Sequence, residues 1–160
     1  MHHDQQGFSL IELLIVVAII LIVAAIAIPN FIRSRVAANQ ASAIESMRII
    51  TTGEVTYSTT YGSGFSASLS LLGPPPSGQA TSSTAAGLID EVLAGGYKSG
   101  YSFFYTPTLI HGTTINGFTL LANPSTFGQT GGMYYYTDQS FLITANSSHP
   151  AASTDTPVGD

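Results

Sequence analysis

Residues Leu13 to Ile28 are apolar without exception, and no charged side chain occurs between Leu13 and Ile32. At 1.5 Å of rise per residue, a helix over that stretch extends about 30 Å, the thickness of a bilayer's hydrocarbon core. A chain of 160 residues has room for one ordinary domain and an appended segment. Such a domain cannot surround a helix that is apolar on every side, so something outside the chain has to cover it. Two readings of the segment remain, a cleaved secretory signal or a retained membrane anchor.

The flanks separate them. Ala25-Ile26-Ala27 supplies the small-x-small pattern that signal peptidases favour, and a cut after it would start the mature chain at Ile28. Against this, the leader Met1-His2-His3-Asp4-Gln5-Gln6 has no Lys or Arg, and a carboxylate, Glu12, heads the apolar run. An ionised side chain in the hydrocarbon costs about 2.5–3.5 kcal/mol or more at a helix centre. Glu12 therefore calls for a cationic partner.

The run Gly7-Phe8-Ser9-Leu10-Ile11-Glu12-Leu13-Leu14-Ile15-Val16-Val17-Ala18-Ile19 resembles the N-terminal signature of type IV pilins and of the pseudopilins of type II secretion. The resemblance implies that a membrane aspartyl peptidase cuts between Gly7 and Phe8 and methylates the new N-terminus, so that Phe8 opens the mature subunit. It also places Glu12 where the family's carboxylate pairs with the N-terminal ammonium of a neighbouring subunit, an arrangement in which each buried charge neutralises the other. Pro29 matches a proline of the family's stalk helix and is expected to bend or locally melt it. A plainer reading lets Pro29 end the helix at the membrane edge. The leader departs from the family in lacking basic residues, and Arg33 and Arg35 lie beyond the apolar run, on the side expected to be exported.

From Phe31 to about Tyr57 the chain is rich in Ala, Ser, Gln and Glu and has no proline. Ala37, Ala41, Ile44, Ile50 and Val55, or their neighbours, recur at helical spacing and predict an amphipathic continuation of the helix. Glu45 and Arg48 read as members of its solvated face. Tyr61-Gly62-Ser63-Gly64 breaks the pattern, and Gly73-Pro74-Pro75-Pro76-Ser77-Gly78 predicts an irregular connection. Leu88 to Ala94 predicts a short helix closed by Gly95-Gly96, with Asp90 and Glu91 on its exposed side.

Four short runs then read as strands: Tyr101 to Thr106, Phe118 to Ala122, Met133 to Thr137 and Phe141 to Ala145. Asn116-Gly117 signals a hairpin turn, and Asp138-Gln139-Ser140 a second tight connection. Alternation puts Tyr101, Phe103 and Tyr105 on one face, toward the helix. The expected fold is therefore α+β, a long N-terminal helix packed on an antiparallel sheet of about four strands. Its segments are a leader (1–7), an apolar anchor and filament-core helix (8–32), an amphipathic continuation (33–60), a variable loop with a short helix (61–100), the sheet (101–146) and a flexible tail (147–160).

Only four basic residues stand against nine acids, so the counterion-release drive for nucleic-acid binding is missing. No Cys is present, which excludes disulfides, thiolate metal sites and a Cys nucleophile. No phosphate loop, Gly-x-Ser-x-Gly or His-Glu-x-x-His pattern occurs, so an enzyme is not expected. His111 and His149 are expected to be solvated, and no cofactor is expected. The family's calcium-binding members leave Asp138, Asp155 and Asp160 as weak calcium candidates.

The expected function is that of a structural subunit, polymerised with identical copies through its N-terminal helix. The resemblance implies a prepilin peptidase, an inner-membrane assembly platform and membrane lipid as partners. It also implies a single-pass precursor in the cytoplasmic membrane and then an extracellular pilus or a periplasmic pseudopilus. The alternatives are a type II secretion pseudopilin, or a membrane-tethered or secreted binding protein that never polymerises.

Overall fold

The computed structural model describes residues 8–111 and 114–159. The chain divides into two units, Met1–Arg35 and Val36–Asp160. Helix α1 covers Leu10–Tyr61 without interruption. It is followed by two one-turn helices, α2 (Leu69–Leu72) and α3 (Glu91–Ala94). Among the described residues six strands follow: β1 (Tyr97–Lys98), β2 (Tyr101–His111), β3 (Thr114–Pro124), β4 (Tyr134–Asp138), β5 (Thr144–Asn146) and β6 (Thr156–Pro157). They form one antiparallel sheet whose spatial order is their order in the chain. The fold is α+β as expected, with six strands rather than four, because the two-residue β1 and β6 are too short to leave a pattern.

In the first unit, α1 continues through Pro29, so the proline does not end the helix. A proline has no N–H, and the carbonyl four residues earlier, Ala25, loses its usual helical donor. Side chains add bonds on the neighbouring turns: the Asn30 amide donates to the Ile26 carbonyl at 3.1 Å and the Ser34 hydroxyl to the Asn30 carbonyl at 3.0 Å. The large side chains of this unit are exposed on all faces of the helix, as an unbroken apolar run must leave them.

In the second unit, the buried face of α1 consists of Ala43, Ser46, Met47, Ile50, Thr51, Gly53, Glu54 and Tyr57, spaced by three and four residues. The stripe is displaced from the expected one: Ala37, Ala41 and Val55 are exposed and Ile44 is half-buried. Three polar residues and a glycine interrupt its apolar members, which hides the periodicity. Against this face pack Tyr101 and Phe103 of β2, Phe118, Leu120 and Ala122 of β3, Tyr135 of β4 and Ile143, with Leu72 and Leu93 closing the side. Tyr105 joins them and stacks on Phe118 at 5.4 Å. Phe104, between the inward residues, is 54% exposed, as strand alternation requires.

The short helix is α3, capped by Asp90, whose carboxylate accepts the Leu93 N–H at 2.9 Å and pairs with Lys98 at 2.7 Å. Asn116-Gly117 does not form the hairpin turn: both residues lie inside β3, and the β2–β3 connection falls at residues 112–113, outside the described residues. Gly117 pairs with Thr108 at the point where the register shifts, and a Cβ there would collide with the Thr108 hydroxyl. The glycine serves a close approach at an irregularity in the ladder. Asp138-Gln139-Ser140 does form the second connection, with the Asp138 carboxylate accepting the Ser140 N–H at 2.8 Å and its carbonyl accepting that of Phe141 at 2.9 Å.

Residues 147–159, expected as a tail, turn back instead. Ala151 is buried, the Thr144 hydroxyl donates to the Ala152 carbonyl at 2.7 Å, and Thr156–Pro157 pair with β5. Hydroxyls and amides, not an apolar pattern, hold this segment, so hydrophobicity gives no sign of it.

Two measurements follow. Thr137 is fully buried on β4, and its hydroxyl has no hydrogen-bond partner among the described residues. Thr137→Val keeps the shape and removes the orphaned group, so it should stabilise the head by about 1 kcal/mol in thermal unfolding of the detergent-solubilised chain. Pro29→Ala restores a helical donor in a position where proline costs about 3 kcal/mol relative to alanine, so amide exchange over residues 30–33 should slow markedly.

Candidate functional site

The N-terminal end of α1 gathers the residues singled out from the sequence. Ser9 precedes the helix, and its carbonyl accepts the Leu13 N–H at 3.2 Å. Glu12 lies in the first turn, where the helix dipole favours an anion. Its Oε2 accepts the Ser9 N–H at 2.9 Å. This is one half of a capping box, and the Ser9-x-x-Glu12 spacing that announces it stands in the sequence. The bond turns the carboxylate back toward the peptide joining Phe8 to Ser9. Phe8 is 80% exposed, and Gly7 and the rest of the leader, His2 and His3 included, lie outside the described residues.

Beyond this turn α1 is long and apolar enough to cross a membrane, and none of its most apolar window is buried. Arg33 and Arg35 are exposed on the turns that follow it. The segment thus combines an uncovered apolar surface with one acid at its head. Chemically it can insert into lipid or pack against other helices, and at Glu12 it offers an acceptor to a cation.

The acids of the second unit form no common site. Asp138 ends β4 opposite Thr119, whereas Asn146, which bonds Asp155, pairs with Tyr134 at the other end of β4. Four strand residues, about 13 Å, separate those ends. Asp155 Oδ2 accepts the Ala152 N–H at 2.8 Å and Oδ1 the Asn146 amide at 2.8 Å. The Ala152 bond, then the Asn146 bond, hold its carboxyl below the usual carboxylate range. Asn146 Oδ1 in turn accepts the Ser148 N–H at 2.8 Å, and His149 lies 3.1 Å from the Asn146 amide nitrogen. The Asn146–Asp155 loop is closed by its own side chains. Among the described residues no group of three or more acids and histidines is placed to hold a metal. Asp160 and the side chain of His111 lie outside them.

The sequence reading passed over Glu54. It lies on the buried face of α1 and is fully buried. Its Oε2 accepts the Ser66 N–H at 2.8 Å, and Oε1 lies 2.6 Å from the Ser66 hydroxyl. Burial pushes its carboxyl above the usual range, although the bonds from Ser66 act the other way. Its place between Ile50 and Tyr57, one helical turn from each, was the available signal.

Comparison with known proteins agrees with the N-terminal geometry. Residues 2–28 match the prokaryotic N-terminal methylation motif. Over 53 residues the chain is 48% identical to the type IV major pilin protein PilA of Myxococcus xanthus (strain DK1622), a match covering 33% of this chain and 24% of that protein. The likeness thus spans about a quarter of the length of that curated relative. No solved structure matches the chain. This chain is thus similar to a type IV major pilin over a third of its length, and the head of its uncovered apolar helix, Glu12 included, lies within the matched methylation motif.

Proposed function

We propose that this chain is a structural subunit of a type IV pilus or pilus-like filament, made as a single-pass precursor in the cytoplasmic membrane and polymerised with identical copies through the first unit of α1. The observation that carries this reading is the exposed apolar helix with a single acid in its first turn, within a matched methylation motif. Lipid covers the helix before assembly, and neighbouring helices replace lipid afterwards. A prepilin peptidase cuts between Gly7 and Phe8 and methylates Phe8, and an assembly platform extracts the subunit. The role is mechanical, and no catalytic chemistry is assigned.

Cleavage turns the Phe8 nitrogen into an ammonium group. In the filament, the Glu12 carboxylate of one subunit takes the Phe8 ammonium of its neighbour as counter-charge. The register follows from electrostatics: a subunit displaced along the filament leaves two charges unpaired in an apolar surround, which is strongly unfavourable.

Glu12→Ala should leave membrane insertion intact, since it removes a charge from an apolar segment, and should lower filament yield more than about tenfold, the scale of losing one partner of a buried pair. Equal yields from the variant and the parent would overturn the role of Glu12. Mass spectrometry of the mature subunit should find N-methylated Phe8 as its first residue. A chain beginning at Ile28 would instead identify the segment as a secretory signal.

A further inference from the structure

Glu54 joins α1 to the connection that follows it, through three residues whose hydrogens can be counted. The Ser66 hydroxyl lies 2.6 Å from Glu54 Oε1 and 3.0 Å from the Ser68 carbonyl oxygen. Both separations are hydrogen-bond distances, and each needs a hydrogen between its oxygens. A carbonyl and a carboxylate only accept, and the serine has one hydrogen to give. With an ionised Glu54, one of the two contacts has none. With the neutral acid both are made: Glu54 Oε1–H donates to the Ser66 hydroxyl, which donates to the Ser68 carbonyl, while Oε2 still accepts the Ser66 N–H.

The neighbours supply no substitute. The titratable groups facing Glu54 are Tyr105 from β2 and Tyr57 one turn along α1, with Tyr61 packed on Tyr57 at 4.8 Å. The Tyr105 hydroxyl donates to the Ser66 carbonyl at 2.8 Å and that of Tyr57 to the Ser83 carbonyl at 2.8 Å, so both hydrogens are engaged on backbone. None of the Glu54 partners named here is a cation, and the side chain is fully buried. An isolated carboxylate in such a place carries a heavy desolvation penalty.

We propose that Glu54 is a neutral acid in the folded head and acts as a pH-sensitive latch, holding the Phe65–Ser68 connection on α1 when protonated and releasing it when ionised. The inference concerns the second unit alone and stands or falls independently of filament assembly. Its sign follows from the raised folded value. The folded state holds the proton more tightly than the unfolded chain, so the latch is at full strength below the ordinary carboxylate range and is lost as pH rises through the folded value of Glu54.

The experiment uses the full-length chain in detergent micelles, with 13C at the glutamate side-chain carboxyls. Of its four glutamates, Glu12, Glu45, Glu54 and Glu91, the third is assigned through its own backbone amide. Its carboxyl carbon should keep the shift of a neutral acid to higher pH than the same carbon does in the denaturant-unfolded chain. As Glu54 titrates, the Ser66 amide should lose about tenfold in protection against hydrogen exchange, beyond the intrinsic rate. Glu54→Gln, which keeps one donor and one acceptor, should show no such step. A Glu54 carboxyl that titrates over the same pH range in the folded chain as in the unfolded chain would overturn the proposal even if the variant fails to fold, as would a protection step that persists in Glu54→Gln.

Discussion

An apolar helix surface has to be covered, and in this chain the two units of the molecule meet that requirement differently. The face of α1 from Ala43 to Tyr57 is covered by the chain's own sheet, with Met47 and Ile50 fully buried. The stretch from Leu10 to Ile32 leaves its large side chains exposed on every face. No rotation of such a helix hides its apolar surface, because there is no polar face to present to water. Lipid or other helices are the two covers available, and one helix suits both because an apolar cylinder does not distinguish hydrocarbon tails from leucine and isoleucine.

The exception on that cylinder is Glu12, and its geometry explains how an acid is tolerated at the head of the run. Its bond to the Ser9 N–H satisfies one oxygen and places the charge at the positive end of the helix dipole. The second unit treats its own buried acid in the opposite way. Glu54 sits about two turns from the C-terminal end of α1, far from the favourable dipole end, and burial drives it toward the protonated form. Position along the helix and access to solvent set the two carboxyl groups apart.

Much of this was legible in the residues. The uninterrupted apolar run and the alternation of Tyr101, Phe103 and Tyr105 are simple local patterns and survive in the structure. The connection at Asp138 was legible because its side chain builds the turn directly. What escaped has a common physical character. Asn116-Gly117 has the composition of a turn, yet its glycine is there for the Thr108 hydroxyl across the ladder, a requirement set by a residue nine positions away. The segment after Asn146 is held by hydroxyl, amide and carboxylate bonds, which leave no hydrophobic pattern. The stripe on α1 was displaced because the polar Ser46, Thr51 and Glu54 are buried, Glu54 on bonds from Ser66 that local reading cannot supply. At the candidate site, the Ser9-x-x-Glu12 spacing of a capping box went unread beside the apolar run, and the direction in which the carboxylate turns emerges from the Ser9 bond.

The order of the sheet has a consequence for how the molecule is made. Each strand pairs with its immediate predecessor in the chain, from Tyr97 to Pro157, and no later strand has to be inserted between earlier ones. Loop closures between such neighbours are short and therefore fast. A chain released progressively, helix first, can add one hairpin at a time onto a surface already formed, so the head need not wait for its last residues before its hydrophobic core begins to exclude water.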